Sequence, residues 1–296
     1  MRLLTNVNLD FLGKRKIAAI ASGVVILAGL FSLVVKGGPA LSIDFTGGTL
    51  AQLKFTSAVD VGTVREYLQD YGFSRPTIQQ FGAEDEILIR VPVEETSEEF
   101  TRRLRDALPG LEFEIRRLET VGPKIGGELR GKAIQSVLFA LLGILIYISL
   151  RFDRYYALGA VAALAHDVLI TLGVFSLLNL ELDLAIVAAF MTIVGYSLND
   201  TIVVFDRIRE NVKIFRKIDF FTTVNSSINQ TLSRTIITSF TTFMVVLVLY
   251  LIGGEMIKYF AFALIIGVLV GTYSSIYVAS PLMAALEVRA QARAAK

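Results

Sequence analysis

Six long apolar runs interrupt an otherwise polar pattern: Ile17–Val35, Ala133–Leu150, Ala157–Leu178, Leu184–Phe205, Ile236–Ile252 and Tyr259–Leu286. Roughly 20 apolar residues at ~1.5 Å rise cover the ~30 Å hydrocarbon core, so each run is predicted to be a transmembrane helix. The first run is too long for a signal-peptide core, and no small-x-small cleavage site follows it closely, so it reads as a span as well.

Between Lys36 and Glu128 the pattern shortens and alternates. Thr49–Thr56, Thr77–Phe81 and Ile87–Val91 read as strands, and Val61–Tyr71 as an amphipathic helix. Ser97–Leu108 reads as a second helix, with Ser97 as N-cap and two glutamates in its first turn. Glu112–Glu119 alternates charged and apolar residues, with Phe113 and Ile115 on one face. The order βαββαβ is that of a ferredoxin-like split βαβ unit. The expected fold is therefore a polytopic α-helical membrane protein with a small α/β domain looped out after the first helix. Its parts are a tail and first span over 1–36, the soluble domain over 37–128, five further spans over 129–287, and a tail over 288–296.

Composition supports this division. The chain is 54% hydrophobic with a mean hydropathy of +0.61, too apolar for a soluble domain of 296 residues. A net charge of +2, with no basic cluster interleaved with aromatics, argues against nucleic acid. The absence of cysteine excludes disulfides, thiolate metal sites and thiol catalysis, and the single histidine excludes a multi-histidine metal site.

Lys and Arg set the orientation. With the N-terminus inside, the inner segments hold Arg2, Lys14, Arg15, Lys16, Arg151, Arg154, Arg207, Arg209, Lys213, Arg216, Lys217, Arg234, Arg289, Arg293 and Lys296. Near the outer ends lie only Lys36, Lys124, Arg130, Lys132 and Lys258, and the loop Asn179–Asp183 carries acid alone. The expected topology is N-in and C-in, with residues 37–128 outside.

The soluble domain shows no nucleophile–base pair or metal cluster, which favours a binding or docking module. Gly47-Gly48 lacks the strand–loop–helix setting of a phosphate cradle and reads as a turn or bulge. Gly122–Gly127 reads as the hinge into the second span.

Ionisable residues inside a membrane cost at least ~2.5–3.5 kcal/mol each, so every one is a functional candidate. The third span carries His166 and Asp167, which fit either a buried polar clamp or a proton relay. The fourth holds Asn199 and Asp200 beside a small, polar stripe formed by Thr192, Gly195 and Asn199 itself. Interhelical polar bonds average only ~0.6 kcal/mol, too little to account for an ionised carboxylate there. Arg234, opening the fifth span ahead of Thr238, Thr241 and Thr242, is the natural partner of Asp200 because its long side chain can snorkel. Asp200, Arg234, Asn199, His166 and Asp167 are thus the proton-coupling candidates. No catalytic residue, metal ligand or cofactor is implied.

The sixth span repeats small residues at Ala263, Gly267, Gly271, Ser275 and Ala279, a pattern for close helix packing, within this chain or with another. The inner segment Asp206–Ser233 mixes charges with Phe215, Phe220, Phe221, Val224 and Ile228 and reads as an interfacial helix.

The stretch Val194-Gly195-Tyr196-Ser197-Leu198-Asn199-Asp200-Thr201-Ile202-Val203-Val204-Phe205-Asp206-Arg207-Ile208-Arg209-Glu210-Asn211 closely resembles the fourth span on the SecF side of the SecD/SecF family, bacterial protein-export membrane proteins of the RND superfamily. So do Ile43–Thr49, Val121–Gly127, Ala165-His166-Asp167 and Ser226–Thr235 with its Ser233-Arg234-Thr235, all collinear. The resemblance implies an accessory subunit of the Sec translocase in the bacterial inner membrane. Its partners would be SecD on a separate chain, the SecYEG translocon, the secretory preprotein, protons and membrane lipid. It would use the proton-motive force after ATP-driven insertion of the preprotein. The family's intramembrane Asp and Arg fall on Asp200 and Arg234, and its small external domain on residues 37–128. The alternative is an RND-like proton antiporter of a small molecule or lipid, for which an external domain of this size is small. A scaffold without transport leaves Asp200 and Arg234 without a reason, and no Ser–His or Asp–Asp pair supports an intramembrane hydrolase.

Overall fold

The computed structural model describes residues 8–73, 76–92, 96–215 and 218–294. Arg2, Arg216, Lys217 and Lys296, part of the charge asymmetry, lie outside them. The elements run α1 (Arg15–Val35), α2 (Ile43–Thr46), β1 (Gly48–Phe55), α3 (Val61–Asp70), β2 (Thr77–Gln80), β3 (Glu86–Val91), α4 (Ser97–Ala107), β4 (Phe113–Val121), α5 (Pro123–Arg151), α6 (Arg154–Leu177), α7 (Leu184–Ile214), α8 (Phe220–Ile252), α9 (Glu255–Ser274), a π-helical turn (Ser275–Ala279) and α10 (Ser280–Ala294). Two compact units result: one of Met1–Ala40, Val137–Leu180 and Ala185–Lys296, the other of Leu41–Ser136 with Glu181–Leu184.

In the smaller unit the four strands pair antiparallel in the order β2-β3-β1-β4. Alternation decides what is buried. Ala51, Leu53 and Phe55 of β1 and Ile87, Ile89 and Val91 of β3 meet Val64 and Leu68 of α3 and Phe100 and Leu104 of α4 in one core. The N-cap of α4 is Thr96 and not Ser97: the Thr96 hydroxyl accepts from the Glu99 amide, so the helix starts at Ser97.

Gly47-Gly48 is neither an isolated turn nor a bulge: Gly47 caps the short helix α2 and Gly48 opens β1, and the reason for glycine is steric. Both residues have positive φ, +73° and +122°. A Cβ on Gly47 would lie 2.8 Å from Pro123 Cα, and one on Gly48 would lie 2.7 Å from the Val91 carbonyl oxygen. The segment Gly122–Gly127 is not a hinge loop. Helix α5 begins at Pro123, whose fixed φ suits a first helical position, and Gly126 lets that first turn lie on the Gly47 backbone. The loop before α7 is stitched to the same unit. Arg90 pairs with Glu181 through both guanidinium nitrogens, the Ser42 amide donates to Leu182 O at 2.9 Å, and the Asp44 carboxylate caps α7 by accepting from the Leu184 amide at 3.1 Å.

The larger unit is a helical bundle. Among the described residues six helices are long and apolar enough to cross a membrane: α1, α5, α6, α7, α8 and the continuous Met256–Ala294. Two run further than their apolar cores. Helix α7 continues past Phe205 to Ile214, and α8 starts at Phe220. Residues 206–233 are therefore not a separate interfacial helix. Val224, Ile228 and Leu232 form a stripe at helical spacing that is buried with Phe205 and Ile208, so packing extends both helices. The small residues of the last span meet neighbours in this same chain. A Cβ on Gly267 would collide with Ile193, and one on Gly271 would come 3.1 Å from Ser197 Cβ, both on α7. Helices α1 and α6 cross at Gly29 and Gly173, where a Cβ on Gly29 would lie 2.5 Å from Gly173 Cα.

Candidate functional site: two buried carboxylates

Asp167 and Asp200 are each almost wholly enclosed within the helical unit, with exposures of 1% and 2%. Their surroundings differ in kind. Asp167, on α6, is saturated with donors. Oδ1 lies 2.8 Å from His166 Nδ1, while Oδ2 accepts from Ser197 of α7 at 2.5 Å and Ser274 of α9 at 2.8 Å. The histidine carries the network on: Nε2 lies 2.9 Å from the Ser22 hydroxyl of α1. Ser22 contacts the Tyr273 hydroxyl at 3.0 Å, and that hydroxyl donates to Ala18 O at 2.8 Å. The Tyr273 ring stacks on His166 at 5.8 Å between centroids. One carboxylate and one imidazole thus join α1, α6, α7 and α9. A buried charge is tolerated only where its lone pairs are met in this way.

Asp200, on α7, has a sparser setting. Among the described residues its side chain makes one hydrogen bond, accepting from Ser239 of α8 at 3.4 Å. Ser239 is in turn 2.6 Å from Thr272 Oγ1 of α9, and Thr272 donates to Val268 O at 2.8 Å. Arg234 is within Coulombic reach of Asp200. Its side chain is nevertheless exposed, and no ion pair within 4 Å joins the two among the described residues. The expected partnership is therefore not a contact in this conformation. Asn199 is exposed, as are Thr192 and Gly195 of its stripe.

Sequence reasoning placed both carboxylates but missed Ser22, Ser197, Ser239, Thr272, Tyr273 and Ser274. Single hydroxyls are unremarkable in an apolar helix because they satisfy themselves on their own backbone, as Thr241 does. Only the fold shows which of them face a carboxylate. Downstream of these hydroxyls the helix widens into the π-turn, where Ser275 donates to Thr272 O at 3.0 Å and Ser280 to Ser275 O at 2.7 Å. Such turns recur beside functional sites.

Residues 101–289 match the family model for the C-terminal region of the protein export membrane proteins SecD/SecF. Residues 31–59, which include Gly47-Gly48, match the SecD/SecF GG motif. The chain is 49% identical over 303 residues to the protein translocase subunit SecF of Rhodothermus marinus, covering 99% of this chain and 98% of that one. It is 48% identical over 284 residues to that of Calditerrivibrio nitroreducens, covering 93% of each. The crystal structure of SecDF from Thermus thermophilus, a translocon-associated membrane protein, superposes with a TM-score of 0.87 at 41% identity, over 95% of this chain. This chain spans only 39% of that one. SecDF in its super-membrane-facing form superposes with a TM-score of 0.71, over 99% of this chain and 40% of that one. With its membrane-spanning helices, its glycine turn and near-full-length identity to SecF subunits, the chain belongs to the SecD/SecF family of protein-export membrane proteins.

Proposed function

We propose that this chain works as the SecF-type accessory subunit of the bacterial Sec translocase. It would act with SecD and the SecYEG translocon, using the proton-motive force to promote export of secretory preproteins across the inner membrane. The observation that carries this reading is the contrast between the two carboxylates. Asp167 is held by three donors, whereas Asp200 is equally buried with a single long hydrogen bond. A buried carboxylate that is poorly compensated is the one for which gaining a proton costs little. Asp200 is therefore the proton-carrying group, and His166 with Asp167 is the clamp that fixes the helices around it. One charge crossing 100 mV releases ~2.3 kcal/mol, and a tenfold proton gradient adds ~1.4 kcal/mol.

Arg234 pairs with Asp200 in a different conformation of the cycle, its exposed side chain being free to swing inward. Asn199 and Arg234 occupy outward faces that a SecD chain would cover. The role is mechanical and not enzymatic. The excess of Lys and Arg supports an N-in, C-in orientation with residues 37–128 on the external side. The strand order β2-β3-β1-β4 supports a ferredoxin-like external domain. The test is export in membrane vesicles carrying Asp200→Asn: the variant inserts normally and loses the response to an imposed proton gradient. A wild-type response from that variant refutes the role of Asp200.

A further inference from the structure

The short chain of hydroxyls behind Asp200 has an unusual proton count. Three gaps need a hydrogen: Asp200 Oδ2 to Ser239 at 3.4 Å, Ser239 to Thr272 at 2.6 Å, and Thr272 to Val268 O at 2.8 Å. Ser239 and Thr272 bring one hydroxyl hydrogen each. While Asp200 is a carboxylate, only two gaps can be filled at once. Ser239 then donates to Asp200 and Thr272 to Ser239. The Val268 carbonyl goes without the third bond but keeps its helical one. When Asp200 carries a proton, all three fill in the opposite sense: Asp200 donates to Ser239, Ser239 to Thr272, and Thr272 to Val268 O. A hydroxyl turns between these states by rotation about one bond, with no helix movement.

We propose that Ser239 and Thr272 are positioning residues for Asp200, a two-hydroxyl chain that reverses its hydrogen-bond direction when Asp200 gains or loses its proton. The inference rests on the assignment of Asp200 as the proton-carrying group. The pair holds the side chain of Asp200 in both charge states and ties α7 to α8 and α9. Neither hydroxyl is itself charged, so the pair adds no competing site. The other ionisable groups near Asp200 are distributed differently. Arg234 lies on α8 within Coulombic reach but with its side chain exposed, and Asp167 with His166 lies behind Ser197 on α6. Tyr196 and Asp206 flank it on α7, and Asp206 is held by Arg151. Between Lys258 and Ser274, α9 offers only Tyr259 and Tyr273 as ionisable groups.

Thr272→Val keeps the shape of the side chain and removes only the hydroxyl, so a purely packing role predicts no loss. The experiment measures preprotein export driven by an imposed proton gradient, across a range of pH, in vesicles containing the full chain with its translocase partners. Thr272→Val and Ser239→Ala each lower the proton-driven component about five-fold, the weight of one hydrogen bond, and move its pH midpoint. Thr272→Ser restores both, and the double variant Ser239→Ala with Thr272→Val is no worse than the weaker single. A wild-type rate and pH profile in Thr272→Val overturns the inference, as does a Thr272→Ser variant as impaired as Thr272→Val. If Thr272→Val membranes hold less protein, Ser239→Ala decides on the same two readouts. Asp200→Asn separates the two levels. Loss of coupling there with normal Thr272→Val removes the hydroxyl chain alone, whereas normal coupling in Asp200→Asn removes the assignment of Asp200 and this inference with it.

Discussion

Ser197 donates its hydroxyl to Asp167 across the boundary between α7 and α6, at 2.5 Å, only one helical turn before Asp200. Oxygen-to-carboxylate bonds this short are charge-assisted and among the stronger kind. The α7 backbone beside Asp200 is therefore held to α6, while Asp200 itself is left with a weak contact on α8. Rigid support beside a loosely held group suits a side chain that must change charge without dragging its helix.

Asp167→Asn is expected to damage stability more than coupling. An amide is neutral, so the two serine bonds lose their charge assistance and the imidazole is met only by turning Nδ1 into an acceptor, a loss of about 1–3 kcal/mol. The variant should unfold at a clearly lower temperature in detergent, yet the protein that survives should still respond to a proton gradient. Normal stability with lost coupling would make Asp167 a relay and not a clamp.

Arg234→Lys tests whether the guanidinium fork matters or only its charge. Lysine supports orientation equally well but cannot bind a carboxylate through two parallel bonds. Impaired coupling with intact topology is expected. The double change Asp200→Asn with Arg234→Gln should be little worse than either single change, because both remove one shared interaction. Losses that multiply in the double variant would separate the two residues.

Gly47→Ala and Gly127→Ala should have opposite signs. Gly47 sits at φ +73° beside the Pro123 backbone, so a methyl group meets both strain and main-chain atoms, a cost of about 1–3 kcal/mol or more. Gly127 lies within α5, where a methyl group would meet nothing within 4 Å beyond its own chain neighbours and helix backbone, and alanine there gains up to about 1 kcal/mol of helix propensity. Thermal unfolding of the two variants is the measurement, and equal effects would contradict the packing described.

Residues 37–128, expressed alone, should be soluble and melt cooperatively, since the sheet and two helices close their own core. Leu53→Ala, at a fully buried position of the central strand β1, should then cost about 2–5 kcal/mol. A fragment without a cooperative transition would show that the unit depends on the remainder of the chain.

The long apolar runs were legible in the sequence because a membrane span is a property of composition over some twenty consecutive residues. The strands and helices of the small domain followed from local periodicity, and Asp167 and Asp200 stood out because charge is rare in such surroundings. Other features were decided only in three dimensions. The extension of α7 to Ile214 and of α8 back to Phe220 comes from Val224, Ile228 and Leu232 finding Phe205 and Ile208, a long-range contact that no local window contains. The glycines at 47 and 126 owe their identity to backbone that the fold brings alongside them. The partners of the two carboxylates, apart from His166 beside Asp167, are serines drawn from α7, α8 and α9, with Ser22, Thr272 and Tyr273 one bond further back. A hydroxyl has no signature of its own in an apolar helix, and its meaning is set by what the neighbouring helix places opposite it.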